Sequence, residues 1–132
     1  MKRVLEFLRS SKVFYLATVE GDQPRVRPLG FCMEYQGRLY LGVGTHKNVY
    51  RQIRENPKVE ICATGGMGEW MRITATAAID QRVEVVDYSL ESMPSLRQIY
   101  NEKTGYVIGT FYLKDAEAVF YDMNGGCDRI SF

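Results

Sequence analysis

The chain has 132 residues, with 17 Lys plus Arg against 16 Asp plus Glu, a formal net charge of +1. A chain of this length is expected to form one domain over residues 1–132 and to bury roughly two-thirds of the surface its unfolded form exposes. The near-neutral balance argues against a nucleic-acid partner, and no apolar stretch approaches the ~20 residues needed to cross a bilayer. The start, Met1-Lys2-Arg3-Val4-Leu5-Glu6-Phe7-Leu8-Arg9, mixes charge with apolar residues and lacks the apolar centre of a secretion signal, so a cytoplasmic location is expected.

Val4, Leu5, Phe7 and Leu8 among charges predict a short amphipathic helix. Val13 to Val19 is a run of β-formers ended by the turn Glu20-Gly21-Asp22. Residues 25–35 predict a second strand, which Gln36-Gly37 turns into Arg38–Val43. A helix is predicted from about His46 to Asn56, with Val49, Tyr50 and Ile53 as its apolar stripe. Pro57 closes it and opens the strand Val59–Thr64. Gly65-Gly66-Met67-Gly68 leads to a long strand from Trp70 to Ile79. Two short helical stretches, Val83–Met93 and Ser95–Asn101, flank Pro94. Strands Tyr106–Leu113 and Ala118–Tyr121 follow, and the Asn124-Gly125-Gly126 turn leads into residues 127–132. Hairpin-linked strands with few helices predict a mainly β fold: an antiparallel β-barrel with flanking helices.

Three cysteines, Cys32, Cys62 and Cys127, are odd in number and unpaired in spacing, which fits reduced thiols and gives no disulfide framework. With His46 as the only histidine, no zinc-ligand spacing exists, and no metal is expected. No Gly-x-Ser-x-Gly elbow supports a serine hydrolase.

Three segments could carry chemistry. The first is Gly42-Val43-Gly44-Thr45-His46-Lys47-Asn48, where a strand gives way to a helix. Thr45 is the natural N-cap, which would leave the N–H groups of His46, Lys47 and Asn48 free at the positive end of the helix dipole. An anion such as phosphate would satisfy both those donors and the Lys47 charge, although a capped surface helix with a solvated Lys reads the same way. The Gly spacing matches neither a dinucleotide fingerprint nor a P-loop. The second segment is Pro24-Arg25-Val26-Arg27-Pro28-Leu29, where alternation puts Arg25, Arg27, Leu29 and Phe31 on one face. Adjacent guanidinium groups call for water or an anion between them, and Pro28 places this strand at an edge or an interruption of the sheet. In the third, Trp70 and Arg72 share a face with Thr74 and Thr76, opposite a core-like set of Met71, Ile73, Ala75 and Ala77. An indole beside a guanidinium suits a subunit contact or a flat aromatic ligand.

Arg27-Pro28-Leu29, then Thr45-x-Lys47, then Arg54-Glu55-Asn56-Pro57-Lys58-Val59, then Trp70-Met71-Arg72-Ile73 form an ordered set. In that order they resemble the pyridoxamine 5′-phosphate oxidase-like, FMN-binding split-barrel family, well over residues 10–80 and in outline beyond. The resemblance implies a homodimer of split barrels with FMN in clefts between the subunits. By position it implies that Arg27, Thr45 and Lys47 hold the phosphate, with Asn48 close by. Pro28 and Leu29 would offer backbone to the isoalloxazine, Val43 would line its pocket and Trp70 would reach it from a neighbouring strand. Pyridoxamine phosphate oxidases proper are longer and carry a C-terminal Arg-x-x-Pro clamp, whereas this chain ends Arg129-Ile130-Ser131-Phe132. The resemblance therefore points to the family's shorter members, which include flavin reductases and nitroimidazole-resistance proteins, and some split barrels bind a deazaflavin. What it implies is an FMN-dependent oxidoreductase acting on a small organic or nicotinamide partner, with a non-enzymatic flavin-binding or sensing module as the alternative. No catalytic side chain is singled out.

Overall fold

Along β1 (Phe14–Glu20), the set Phe14, Leu16 and Thr18 is buried, while Tyr15, between the first two, is 47% exposed. That two-residue period gives the sheet an inner and an outer face, and the strands Lys58–Thr64 and Trp70–Ile79 repeat it. In the computed structural model, which describes residues 1–132, one antiparallel sheet follows the order β2-β1-β5-β6-β7-β4-β3, with β8 added on β7. Its other strands are β2 (Gln23–Leu29), β3 (Cys32–Tyr35), β4 (Arg38–Gly44), β5 (Lys58–Thr64), β6 (Trp70–Ile79), β7 (Ile108–Tyr121) and β8 (Cys127–Ser131). Helices α1 (Lys2–Ser11), α2 (Asn48–Glu55) and α3 (Val83–Ser92) flank it, and a short 3-10 helix spans Pro94–Gln98. No helix is long and apolar enough to cross a membrane.

The inner face and the helices share a core of Val4, Leu5 and Leu8 from α1, Val49 and Ile53 from α2, and Leu16, Leu41, Ile61, Met71, Ile73 and Phe111 from the strands. Met71, Ile73, Ala75 and Ala77 are all buried, as alternation along β6 predicts. A smaller cluster of Phe31, Met33, Tyr40, Val85 and Ile108 anchors α3.

Two strand predictions need correction. Residues 25–35 are not one strand: the chain leaves the sheet at Gly30 and Phe31, so β2 pairs only with β1 and β3 pairs only with β4. Phe31 turns into the small core at 5% exposure instead of continuing the Arg25–Arg27–Leu29 face. The predicted Tyr106–Leu113 and Ala118–Tyr121 strands are a single strand, β7, beginning at Ile108. Its partner β6 advances from Thr74 to Thr76 while β7 spans Lys114 to Glu117, a β-bulge that Asp115 accommodates at φ 51°.

The end of β6 is fixed by charge. The Asp80 carboxylate accepts from the Tyr40 hydroxyl at 2.7 Å and from Arg82 Nε and Nη2 at 2.9 and 2.8 Å. Those donors, the Arg82 bonds first, hold its pKa down from 3.8 to about 2 despite the opposing cost of desolvation. A depressed carboxylate stabilises the fold above its unfolded pKa and loses that contribution as pH falls through the folded value. Asp80→Asn is therefore expected to lower the urea midpoint at neutral pH. The difference from wild type should shrink between about pH 4 and pH 2; a difference independent of pH would contradict this assignment.

Candidate active site at the split of the barrel

The sheet's two end strands, β2 and β3, are consecutive in the chain yet do not pair with each other. β3 covers β4 only over Arg38–Leu41, while β4 runs on through Gly42, Val43 and Gly44 with β7 alone beside it. One edge of those three residues is thus left without a strand, and the facing edge of β2 is interrupted at Pro28, which has no N–H to donate. Between them lies a cleft of about 580 Å³, within the usual range of ~300–1,000 Å³ for small-ligand sites. Of the predicted site residues, Arg27, Pro28, Leu29, Val43, Lys47 and Asn48 line it. The three stretches that supply them are separated in sequence, and barrel curvature brings them to one opening.

Thr45 and Trp70 fall elsewhere. Thr45 is not the helix cap: its N–H bonds the carbonyl of Val107 at 2.9 Å, which keeps it at the strand end. The chain then turns once, with Lys47 N–H on the Gly44 carbonyl at 3.0 Å, and Lys47 itself occupies the cap position in extended conformation. The donors left without a hydrogen-bond partner within the chain are consequently the N–H groups of His46, Asn48 and Val49, rather than those of His46, Lys47 and Asn48. Trp70 lies at another opening of about 370 Å³ with Arg3, Phe7, Tyr121 and Cys127, its ring stacked on Tyr121 at 4.1 Å and the Arg72 guanidinium 5.0 Å from its centre.

The cationic groups differ sharply in how they are held. Glu20 Oε1 takes Arg25 at 3.2 Å and Glu20 Oε2 takes Arg51 at 2.6 Å, and these bonds, Arg51 first, pull its carboxyl down to about 2. The repulsion expected between Arg25 and Arg27 is thus relieved on the Arg25 side by an internal acid. Arg27 has no carboxylate partner. Its Nη1 donates to the Leu16 carbonyl at 3.1 Å and to Thr18 Oγ1 at 2.7 Å, and its Nη2 donates to Gln52 Oε1 at 2.8 Å. Desolvation and then the nearby Arg25 charge lower its pKa, yet a guanidinium stays protonated under any ordinary condition. Lys47 joins no ion pair and is exposed at the cleft mouth. Two unneutralised cations and three open N–H groups make an opening suited to an anion, while Leu29, Val43 and Tyr100 supply apolar wall.

Sequence reasoning missed Tyr100, more than fifty positions downstream of Lys47 and just past the 3-10 helix, where no periodicity marks it. It also assigned no role to Gln52 and Thr18, which hold Arg27 from beneath at 3% and 1% exposure. A signal existed for both: Gln52 shares the helical stripe of Val49 and Ile53, and Thr18 continues the buried alternation of Phe14 and Leu16. His46, which the sequence offers either as a group touching phosphate or substrate or as a plain first-turn residue, stacks its ring on Tyr106 at 3.8 Å, directly over Gly44. A methyl group at position 44 would stand 2.5 Å from His46 Cε1. Gly44→Ala is expected to unstack His46 and distort the 45–48 turn, read as loss of ligand affinity with a smaller loss in thermal midpoint; unchanged affinity would contradict it.

A family model described as pyridoxamine 5′-phosphate oxidase matches residues 1–110. The chain belongs to this family. Among solved structures, a NimC/NimA family protein from Clostridium acetobutylicum is 42% identical with a TM-score of 0.93, over 100% of this chain and 92% of that one. A FAD-binding protein from Mesorhizobium loti is 14% identical (TM-score 0.63, 92% of this chain and 94% of that one). HutZ, the heme storage protein from Vibrio cholerae, is 17% identical (TM-score 0.64, 86% and 87%). The last two share the fold with this member of the pyridoxamine 5′-phosphate oxidase family. No curated protein matches the sequence.

Proposed function

We propose that the cleft holds FMN and that the protein is an FMN-dependent oxidoreductase, passing a hydride between the flavin and a reduced nicotinamide or small organic partner. The observation that carries this reading is that Arg27 and Lys47, from separate elements, wall one cleft without a carboxylate to neutralise either. A flavin phosphate is a doubly charged group of the kind those cations and the open N–H groups of His46, Asn48 and Val49 would receive. Bound flavin supplies the redox chemistry, and the chain's residues bind and orient it. Arg27 and Lys47 anchor the phosphate, with Asn48 beside them. Pro28 and Leu29 present the open β2 edge to the ring system, and Val43 closes the wall opposite. Family membership and a neighbour named for FAD binding support a flavin.

A homodimer completes the proposed site. On the outer face, Val26 is 67% and Tyr15 47% exposed, and Pro28 pairs across from Tyr15, so β1 and β2 present an apolar patch at a sheet edge. Covering that patch with a second copy would bury it, and Trp70 would then reach the partner's cleft instead of its own. Sedimentation at micromolar concentration is expected to show a dimer; a monomer would remove Trp70 from the site.

FMN added to the purified protein should bind with quenched flavin fluorescence and a shifted visible spectrum. NADH or NADPH should then bleach the bound flavin, and quinones or nitro compounds should restore its colour. Binding without reduction would favour the non-enzymatic flavin module. The heme storage neighbour gives hemin a place as the competing ligand, since His46, the only histidine, lines the same cleft. Hemin binding with no FMN binding would overturn the flavin reading.

A further inference from the structure

Gln52 and Thr18 are buried polar side chains at core-facing positions, where an uncompensated amide or hydroxyl would be costly. Their hydrogen bonds have a fixed polarity. Gln52 Nε2 donates to Glu20 Oε2 at 3.2 Å, which turns Oε1 of the same amide toward Thr18 and Arg27. Thr18 Oγ1 donates to that Oε1 at 2.6 Å, which leaves the hydroxyl oxygen to accept from Arg27 Nη1. With the Leu16 carbonyl, these groups commit both Nη1 hydrogens and one on Nη2. Nε–H and the second Nη2 hydrogen remain uncommitted, on a residue that lines the cleft. The same carboxylate that fixes the amide is shared by Arg25 and Arg51, and Gln52 stands between it and Arg27, two hydrogen bonds apart. A Glu in the Gln52 position would offset the guanidinium charge and, with no N–H to donate, would set a second carboxylate against Glu20 Oε2.

We propose that Gln52 and Thr18 are positioning residues: they form a charge-neutral socket that presents the undiminished Arg27 cation to the cleft, and so set a preference for phosphorylated over unphosphorylated flavin. This rests on the FMN reading and goes beyond it by naming what fixes its selectivity. Losing the socket frees the guanidinium to reorient, which weakens charge-assisted bonds to phosphate and leaves contacts with the ring system alone.

The test is the ratio of dissociation constants for FMN and riboflavin, measured on the full chain. Gln52→Met and Thr18→Val should each lose about tenfold in FMN affinity with riboflavin affinity nearly unmoved. Thr18→Ser keeps the hydroxyl and should retain the wild-type ratio. Gln52→Glu keeps acceptor oxygens for Thr18 and Arg27 but places a negative charge beside Arg27 and a second carboxylate against Glu20, and should raise the FMN-to-riboflavin ratio of dissociation constants like Gln52→Met; should either Gln52 variant not fold, Thr18→Val carries the comparison. In an Arg27→Ala background, Gln52→Met should have no further effect on the ratio. Equal losses for both ligands, no loss, or a full loss persisting without Arg27 would overturn the proposal. Wild-type protein that binds no FMN would overturn the flavin reading and this one with it, whereas wild-type binding with an unchanged ratio in every variant overturns this one alone.

Discussion

Arg27→Ala is expected to weaken FMN binding by roughly 10- to 100-fold, the range for losing hydrogen bonds to a charged group. Two consequences of unequal size follow from the geometry. The phosphate loses a cation that has no internal acid to fall back on, and Thr18 and Gln52 lose a shared donor. The second consequence is mild, because Thr18 still donates to Gln52 and Gln52 still donates to Glu20. Affinity should therefore fall far more than stability. Arg25→Ala provides the internal comparison: Arg25 sits two residues away on the same strand but is held by Glu20, so its removal should change FMN affinity several-fold at most. Isothermal titration on the two variants separates them. Equal losses would mean that the cleft responds to net positive charge on β2 rather than to a placed guanidinium.

Phe111→Ala is expected to destabilise the protein by about 3–5 kcal/mol, the usual range for truncating a fully buried aromatic ring. Phe111 is 0% exposed, on the strand that pairs with both β4 and β6, where it stands across from Leu41 and Ile79. Backbone pairing on both sides of β7 limits how far the neighbouring strands can close around the missing ring. With total stability of ~5–15 kcal/mol typical for a domain, this single change removes a large share. The expected reading is a markedly lower urea midpoint with an unchanged slope. A loss under ~1 kcal/mol would show that the barrel interior collapses readily around the missing ring.

The residues that repeat with a regular period were readable in advance. Alternation on β6 placed Met71, Ile73, Ala75 and Ala77 inside, and the strand-to-helix passage through Gly44 and Lys47 placed the open amides within one residue of their true positions. Thr45 misled because capping propensity is local, whereas its N–H is taken by Val107, sixty-two positions away in sequence. The break at Gly30 was hidden for a similar reason. Pro28 and Gly30 interrupt an otherwise extended run over residues 25–35, but only the change of partner from β1 to β4 decides that the strand stops there rather than bulging and continuing. Tyr100 reaches the cleft from an irregular segment that carries no repeat to read. Trp70 could be seen as a ligand or interface residue, but which opening it serves depends on sheet curvature, and within one chain it serves a different one.

Backbone amide resonances offer the most direct view of the proposed phosphate site. On titration with FMN, the account predicts that the amides of His46, Asn48 and Val49 shift together with the Arg27 side-chain Nε–H, with one saturation curve. Shifts confined to the opening around Trp70 and Tyr121, or saturable FMN binding that leaves all four of those signals unmoved, would contradict it.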